Sequence, residues 1–311
     1  MRRFLKYIGL IFTCTVLLAL VNDWACRWFI SQSTGNPIYK MDRLWQSGDE
    51  NEIAIVGSSR AQSNYVPSLI STNCFNYGCD GQGYAETLFH LTALKARGGD
   101  APIIINYDPW WVTISKDVDY VGDYRMAPNS GRVSCVDTIP GIRLYGYLRK
   151  SATDWLNAKA AVTKVIDNGA VLLKNSRSDS EWEVINEKQK PYSFRRDEES
   201  CAIFKETLNG FAPRKVCVVV APCSKRFIEL FEGRVEFDQF MKELEDIPNV
   251  CVENMFGDDR FVGADFVDTT HLNMGGASKF TQAMMKQIQY VFSSNGGIIG
   301  DQFQCDDTYE L

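Results

Sequence analysis

Two short stretches of this 311-residue chain hold residue types that can do chemistry together. The first is Gly57-Ser58-Ser59, which closes the apolar run Ile53-Ala54-Ile55-Val56; the second, far downstream, is Asp268-Thr269-Thr270-His271. A serine hydroxyl is a poor nucleophile until a base takes its proton, and an imidazole does this near neutral pH when a carboxylate fixes its tautomer. On residue type alone either Ser58 or Ser59 can be that hydroxyl, with His271 as the base. Asp268, three residues before His271, can share one face of a helical or tight-turn segment with it; the spacing leaves open whether the carboxylate touches the ring. The other of the two histidines, His90, stands among Phe89, Leu91 and Leu94 and reads as a packed or surface helix residue.

The elements around these residues decide where they sit. Residues 53–56 have the length and β-branching of a buried strand, and Gly57 supplies the freedom to turn sharply out of it. In open α/β sheets ligands gather outside the carboxyl ends of the strands, where such a turn delivers its serines. Beyond residue 53 strand and helix alternate. The pattern predicts a short helix near 66–71, a strand at 74–76, a helix over 84–95 closed by Gly98-Gly99, and a strand at 102–106. Later come a helix near 198–208, a strand at 216–220, a helix over 225–244, a strand at 250–253 and a final helix over 277–292. Together they predict an α/β fold, a three-layer flavodoxin-like sandwich with a five-stranded parallel sheet covered on both faces. Residues 112–200 break the rhythm and read as an insertion beside the site, with loop over 117–140 and a capped helix opening at Ser151. The aromatics Trp110, Trp111, Tyr120, Tyr124, Tyr145 and Tyr147 suit a groove for sugar rings or the core of a small subdomain, the core being the better reading for most.

Gly57-Ser58-Ser59, Asn76-Tyr77-Gly78-Cys79-Asp80-Gly81 and Asp268-Thr269-Thr270-His271 resemble, in order and spacing, the first, second and last blocks of the SGNH (GDSL-like) hydrolase superfamily. The resemblance covers roughly residues 50–110 and 214–295. It implies that Ser59 is the nucleophile, with Ser58 where the family usually has Asp. It further implies that the Gly81 N–H faces the oxyanion beside that of Ser59, and that Asp268 and His271 complete a triad. One block departs. The family's third block should follow the strand at 102–106 with a Gly-x-Asn whose amide completes the oxyanion hole, and here the chain reads Tyr107-Asp108-Pro109-Trp110-Trp111. Asn106 stands too early, and Asp108 would bring negative charge toward developing negative charge, the wrong sign. Divergent membrane-anchored members of the superfamily, associated with acylation of cell-surface polymers, vary this block similarly.

The N-terminus predicts the compartment. Arg2, Arg3 and Lys6 precede an apolar run over residues 7–21 that, extended through Trp24, Trp28 and Ile30, approaches the ~20 residues needed to span a bilayer. With no Ala-x-Ala cleavage site, residues 1–30 read as an uncleaved anchor, and the basic start places the rest of the chain on the extracytoplasmic side. Lipidation of Cys26 is a minor alternative, since Asp23 fits poorly three residues before it. The expected layout is an anchor, an α/β domain over 48–296 and an acidic tail over 297–311. Charged residues are 23% and hydrophobic residues 45%, ordinary for one folded domain, and a net charge of −6 with no basic block argues against nucleic acid or anionic lipid surfaces as partners. Ten cysteines show no zinc-ligand spacing, and Cys217, inside a strand-like run, reads as a small buried hydrophobe. Two distant histidines and no Cys-x-x-Cys pair leave few metal ligands, so neither metal nor cofactor is expected.

These readings converge on a membrane-anchored, extracytoplasmic serine hydrolase or O-acyltransferase acting on acyl esters of a cell-surface glycan, with a membrane acyltransferase as an expected partner. The alternative is a non-catalytic partner of a membrane acyl-transfer machine that keeps the fold and binds glycan or acylated carrier. The missing third-block asparagine favours the alternative; the Ser59, Asp268 and His271 set opposes it.

Overall fold

The computed structural model describes residues 2–31, 34–111 and 164–293. Its strands in chain order are β1 (Ile53–Val56), β2 (Cys74–Asn76), β3 (Ile103–Asn106), β4 (Lys164–Asp167), β5 (Ala170–Leu173), β6 (Val216–Val220) and β7 (Val250–Asn254). Five of them form one sheet, in the order β2-β1-β3-β6-β7, with every pair parallel. This is a doubly wound order, and the strand order reverses at β1. The alternation within each strand explains why both faces must be covered. Ala54, Val56, Ile103, Ile105, Val216 and Val218 point into one core, and Ile55, Ile104, Cys217 and Val219 into the other. Strands buried on both sides carry no polar face, which is why they read as unbroken β-branched runs.

The helices in chain order are α1 (Arg2–Ser31), α2 (Pro37–Asp42), α3 (Ser59–Asn64), α4 (Tyr84–Arg97), α5 (Asp179–Lys188), α6 (Glu198–Asn209), α7 (Lys225–Glu229), α8 (Arg234–Glu245) and α9 (Met274–Ser293). Leu91 and Leu94 of α4, Phe204 and Leu208 of α6, and Phe237, Phe240 and Leu244 of α8 fill the first core. Ala61 of α3 and Ala277, Phe280, Met284 and Ile288 of α9 fill the second.

Several expectations are corrected. The helix expected near 66–71 is a single 3-10 turn, Pro67–Leu69, and the helix of this crossover is α3, which begins at once after Gly57-Ser58 because the Ser58 hydroxyl caps it. The helix expected over 225–244 is two, because Gly233 takes a left-handed φ of 76° and Glu232 is diverted into a bridge with Ser193. Ahead of residue 48, Lys40, Met41 and Leu44 are buried, and Met41 and Leu44 pack in the first core. Within the expected insertion, β4 and β5 form an antiparallel hairpin turned at Asn168-Gly169, both with positive φ. Ala170 and Leu172 of the hairpin join the second core, and Trp111 joins the first, so neither belongs to a separate subdomain. Residues 112–163, with the expected helix at Ser151 and with Tyr120, Tyr124, Tyr145 and Tyr147, lie outside the described residues, as does the 297–311 tail.

The N-terminal segment is helical as α1, and Phe4, Leu10, Phe12, Leu18 and Val21 along it are exposed. Among the described residues, however, no helix is long and apolar enough to cross a membrane. Basic residues before the run and Asn22-Asp23 after it leave about fifteen apolar residues where ~20 are needed.

Candidate active site

The site is built at the carboxyl end of β1. Gly57 turns the chain with φ 142°, and a Cβ there would lie 2.8 Å from the Asn106 carbonyl and 2.9 Å from the Ala61 Cβ, so only glycine fits. The two serines after it face different ways. Ser58, the N-cap of α3, is buried; its hydroxyl accepts from the Arg60 N–H at 3.2 Å and donates to Asp108 Oδ2. Ser59, the first residue of α3, is only half-buried and lies with Oγ 2.8 Å from His271 Nε2. The environment thus separates two residues that the sequence left equivalent in chemistry.

His271 and Asp268 share a tight loop, closed by the Phe266–Leu272 bridge and by the Val267 N–H donating to the His271 carbonyl at 2.9 Å. His271 Nδ1 lies 2.8 Å from Asp268 Oδ2 and 3.0 Å from Oδ1. Asp268 Oδ1 also accepts the backbone N–H groups of Thr270 and His271, each at 2.8 Å, a turn in which an aspartate folds back on its own main chain. Burial pushes the Asp268 carboxyl upward, but the hydrogen bond and charge of His271, with the two backbone donors, outweigh it and bring the pKa down to about 2. Asp268 therefore stays ionised across the physiological range and holds the Nδ1–H tautomer, leaving Nε2 free to take a proton from Ser59.

Gly81 lies on the loop after β2, exposed, with φ 75°. That loop is laid against the elbow: the Cys79 N–H donates to the Gly57 carbonyl at 3.2 Å, and a Cβ on Gly78 would lie 2.6 Å from the Ala61 Cβ of α3. Behind the loop, the buried Lys40 ammonium donates to the Gly78 carbonyl, and Gln82 bonds both the Cys79 N–H at 3.0 Å and the buried His90 ring, 2.9 Å from Nε2. Burial pushes Lys40 down to about 8, while burial and the Lys40 charge together push His90 down to about 3.

The third-block segment corrects the sequence reading of Asp108. Its carboxylate does not stand as a bare charge beside the site. Oδ1 accepts from Arg60 Nη1 at 3.0 Å and from Asn106 Nδ2 at 2.9 Å, while Oδ2 takes the Ser58 hydroxyl. Asn106 also accepts the Tyr65 hydroxyl at 3.0 Å, and Asn76 is committed to the Ala61 carbonyl and the Gly78 N–H, so both asparagine side chains are spent on inner contacts. Arg60 and Asn64, which sequence reasoning missed, both reach the His271 loop from α3. For Arg60 a signal emerges only with the strand order: opposite charges just beyond two strand ends, Arg60 after β1 and Asp108 after β3, become neighbours once those strands pair. Among the described residues no cluster of three or more His, Cys, Asp or Glu side chains could hold a metal ion.

Fold and site together define a doubly wound α/β protein with a hydrogen-bonded Ser-His-Asp line at the carboxyl edge of its sheet. No protein-family model and no curated protein matches the sequence. Among solved structures, the chain is similar to one provisionally described as a platelet activating factor from Streptococcus pneumonia, with 13% identity and a TM-score of 0.41 over 85% of this chain and 95% of that one. A likeness of that size decides nothing about activity.

Proposed function

We propose that this chain is a serine hydrolase or O-acyltransferase of the SGNH type, acting on acyl esters. The observation that carries the reading is the unbroken line from Ser59 Oγ through the imidazole of His271 to Asp268, 2.8 Å at each step. Ser59 Oγ bonds to the acyl carbon while its proton passes to His271 Nε2. The leaving alcohol departs with that proton, giving an acyl-enzyme. A water or an acceptor hydroxyl then adds to the acyl carbon and yields its proton to His271, which returns it to Ser59 as the product leaves. The Ser59 and Gly81 N–H groups receive the oxyanion. Water as second nucleophile makes the protein an esterase; a sugar hydroxyl on a cell-surface glycan makes it a transferase. The commitment of Asn76 and Asn106 elsewhere supports a site with few oxyanion donors, which suits transfer to a positioned acceptor better than hydrolysis of small free esters. The exposed apolar residues and basic start of α1 support attachment to a membrane with the α/β domain on the extracytoplasmic side.

A fluorophosphonate probe tests the chemistry. Labelling at Ser59 in the wild-type protein, absent from Ser59→Ala and strongly reduced in His271→Ala, is the expected result. A folded wild-type chain that neither labels nor hydrolyses any activated ester leaves the non-catalytic glycan-binding reading in its place.

A further inference from the structure

Arg60 follows Ser59 directly, yet nothing in the proposed chemistry uses it. Its side chain and that of Asp108 are each only 1% exposed. Withdrawing two charges from water costs several kcal/mol per ion, and a well-packed apolar pair would often serve stability equally well. What an apolar pair cannot do is bind several groups in fixed directions, and the planar guanidinium does this with five donors in a rigid fork. Arg60 Nη1 binds Asp108 after β3, Nη2 binds the carbonyls of Ala221 and Pro222 after β6, and Nε reaches the Thr270 carbonyl at 3.3 Å. Trp110 covers the group from one side, its ring centroid 5.3 Å from the guanidinium carbon. One side chain beneath Ser59 therefore ties together the ends of three adjacent strands and the residue next to His271. Asn64, one turn further along α3, reinforces the same loop: Nδ2 donates to the Thr270 carbonyl at 3.3 Å and Oδ1 accepts the Leu272 N–H at 2.9 Å.

A second tether between Ser59 and His271 has a chemical purpose. The direct hydrogen bond between them ceases to exist once Ser59 is acylated, so it cannot hold the imidazole in register for the second half of the reaction. Bonds that do not react must do that, and the path Ser59–Arg60–Thr270–His271 is made of such bonds. We propose that Arg60, buried against Asp108, is a positioning residue that keeps His271 aligned while Ser59 carries the acyl group, and that this is the contribution of the 106–111 segment in place of an oxyanion donor. The proposal rests on the serine-nucleophile reading above.

The test separates the two halves of turnover. Arg60→Lys keeps a charge facing Asp108, but one ammonium cannot reach Asp108, the Ala221 and Pro222 carbonyls and Thr270 at once. With nitrophenyl acetate, rapid mixing gives the acylation rate from the nitrophenolate burst, and intact mass gives the lifetime of acetyl-Ser59. For Arg60→Lys, deacylation is expected to fall about 10- to 100-fold, the cost typical of an ångström-scale misplacement, with acylation within about three-fold of wild type. Acetyl-enzyme then accumulates, and kcat and KM fall together. Asp108→Asn, which leaves the guanidinium without its counter-charge, is expected to show the same partition and keeps the test open if the lysine variant folds poorly. Wild-type deacylation in both variants, or equal losses in both half-reactions that track melting temperature, overturns the positioning role. Failure of the wild-type protein itself to acylate at Ser59 instead overturns the serine-nucleophile reading, and this proposal with it.

Discussion

At the scale of single residues, the division of labour between Ser58 and Ser59 is set by what each hydroxyl meets: a buried carboxylate for one, a half-buried imidazole for the other. Groups that act as a unit lose their effect together, so Ser59→Ala and His271→Ala should each abolish most turnover of an activated acetyl ester. The double variant should be scarcely worse than either, and additive losses in kcat would show that the pair does not cooperate. A second prediction concerns acid stability. Folded His90 titrates near 3 against an ordinary 6.5, so between those values the unfolded chain binds the extra proton. Stability should therefore fall as pH drops from about 6.5 toward 3, by up to ~1.4 kcal/mol per pH unit at the steepest. Urea midpoints across that range should show the slope in wild type and a flatter profile in His90→Gln. The serine, histidine and aspartate types were legible because few residues can do such chemistry and the chain offers few histidines. Arg60 was not, since a charge beside Ser59 reads as exposed until the strand order supplies its partner 48 residues away.

At the scale of elements, the fully buried strands β1, β3 and β6 announce themselves as β-branched runs, and all five strands of the sheet, including the short β2 and the half-buried edge strand β7, were visible to within a residue or two. Helix α3 was invisible for a physical reason. Its buried face is Arg60, Ala61, Ser63 and Asn64, of which only Ala61 is apolar; Arg60 and Asn64 bond other loops and Ser63 bonds within the helix, so no apolar periodicity exists to be read. The Asn168-Gly169 hairpin, by contrast, has a strong two-residue turn signal, which lies inside the stretch that reads as an insertion. The elbow before α3 yields its own prediction. Gly57→Ala forces a side chain into an unfavourable φ and against the Asn106 carbonyl, and should cost about 2–5 kcal/mol, measured by chemical denaturation. A melting temperature unchanged by that substitution would mean the elbow is looser than its geometry.

At the scale of the whole molecule, the carboxyl edge of the sheet collects the elbow, the Gly81 loop, the Asp108 segment and the His271 loop, as a doubly wound fold should. With the Asn76 and Asn106 amides committed inward, hydrolysis of nitrophenyl acetate should be slow, by the ~10²–10³-fold that one lost oxyanion donor typically costs. Transfer to the authentic polymer should be much faster, and rapid free-ester hydrolysis would count against the transferase reading. Attachment through α1 predicts that protease added to intact spheroplasts removes the α/β domain; digestion only after lysis would place that domain inside.

The burial of Lys40 in α2 joins these scales, because its ammonium grips the Gly78 carbonyl of the loop that carries Gly81. A chain cut back to residue 48 should lose that grip and the cover of Met41 and Leu44, melting earlier and turning over more slowly, whereas one cut back to residue 34 should keep both. The segment before β1 is thus fastened to the loop beside Ser59 by a single buried ammonium, which makes α2 part of the wall of the candidate site rather than a leader to it.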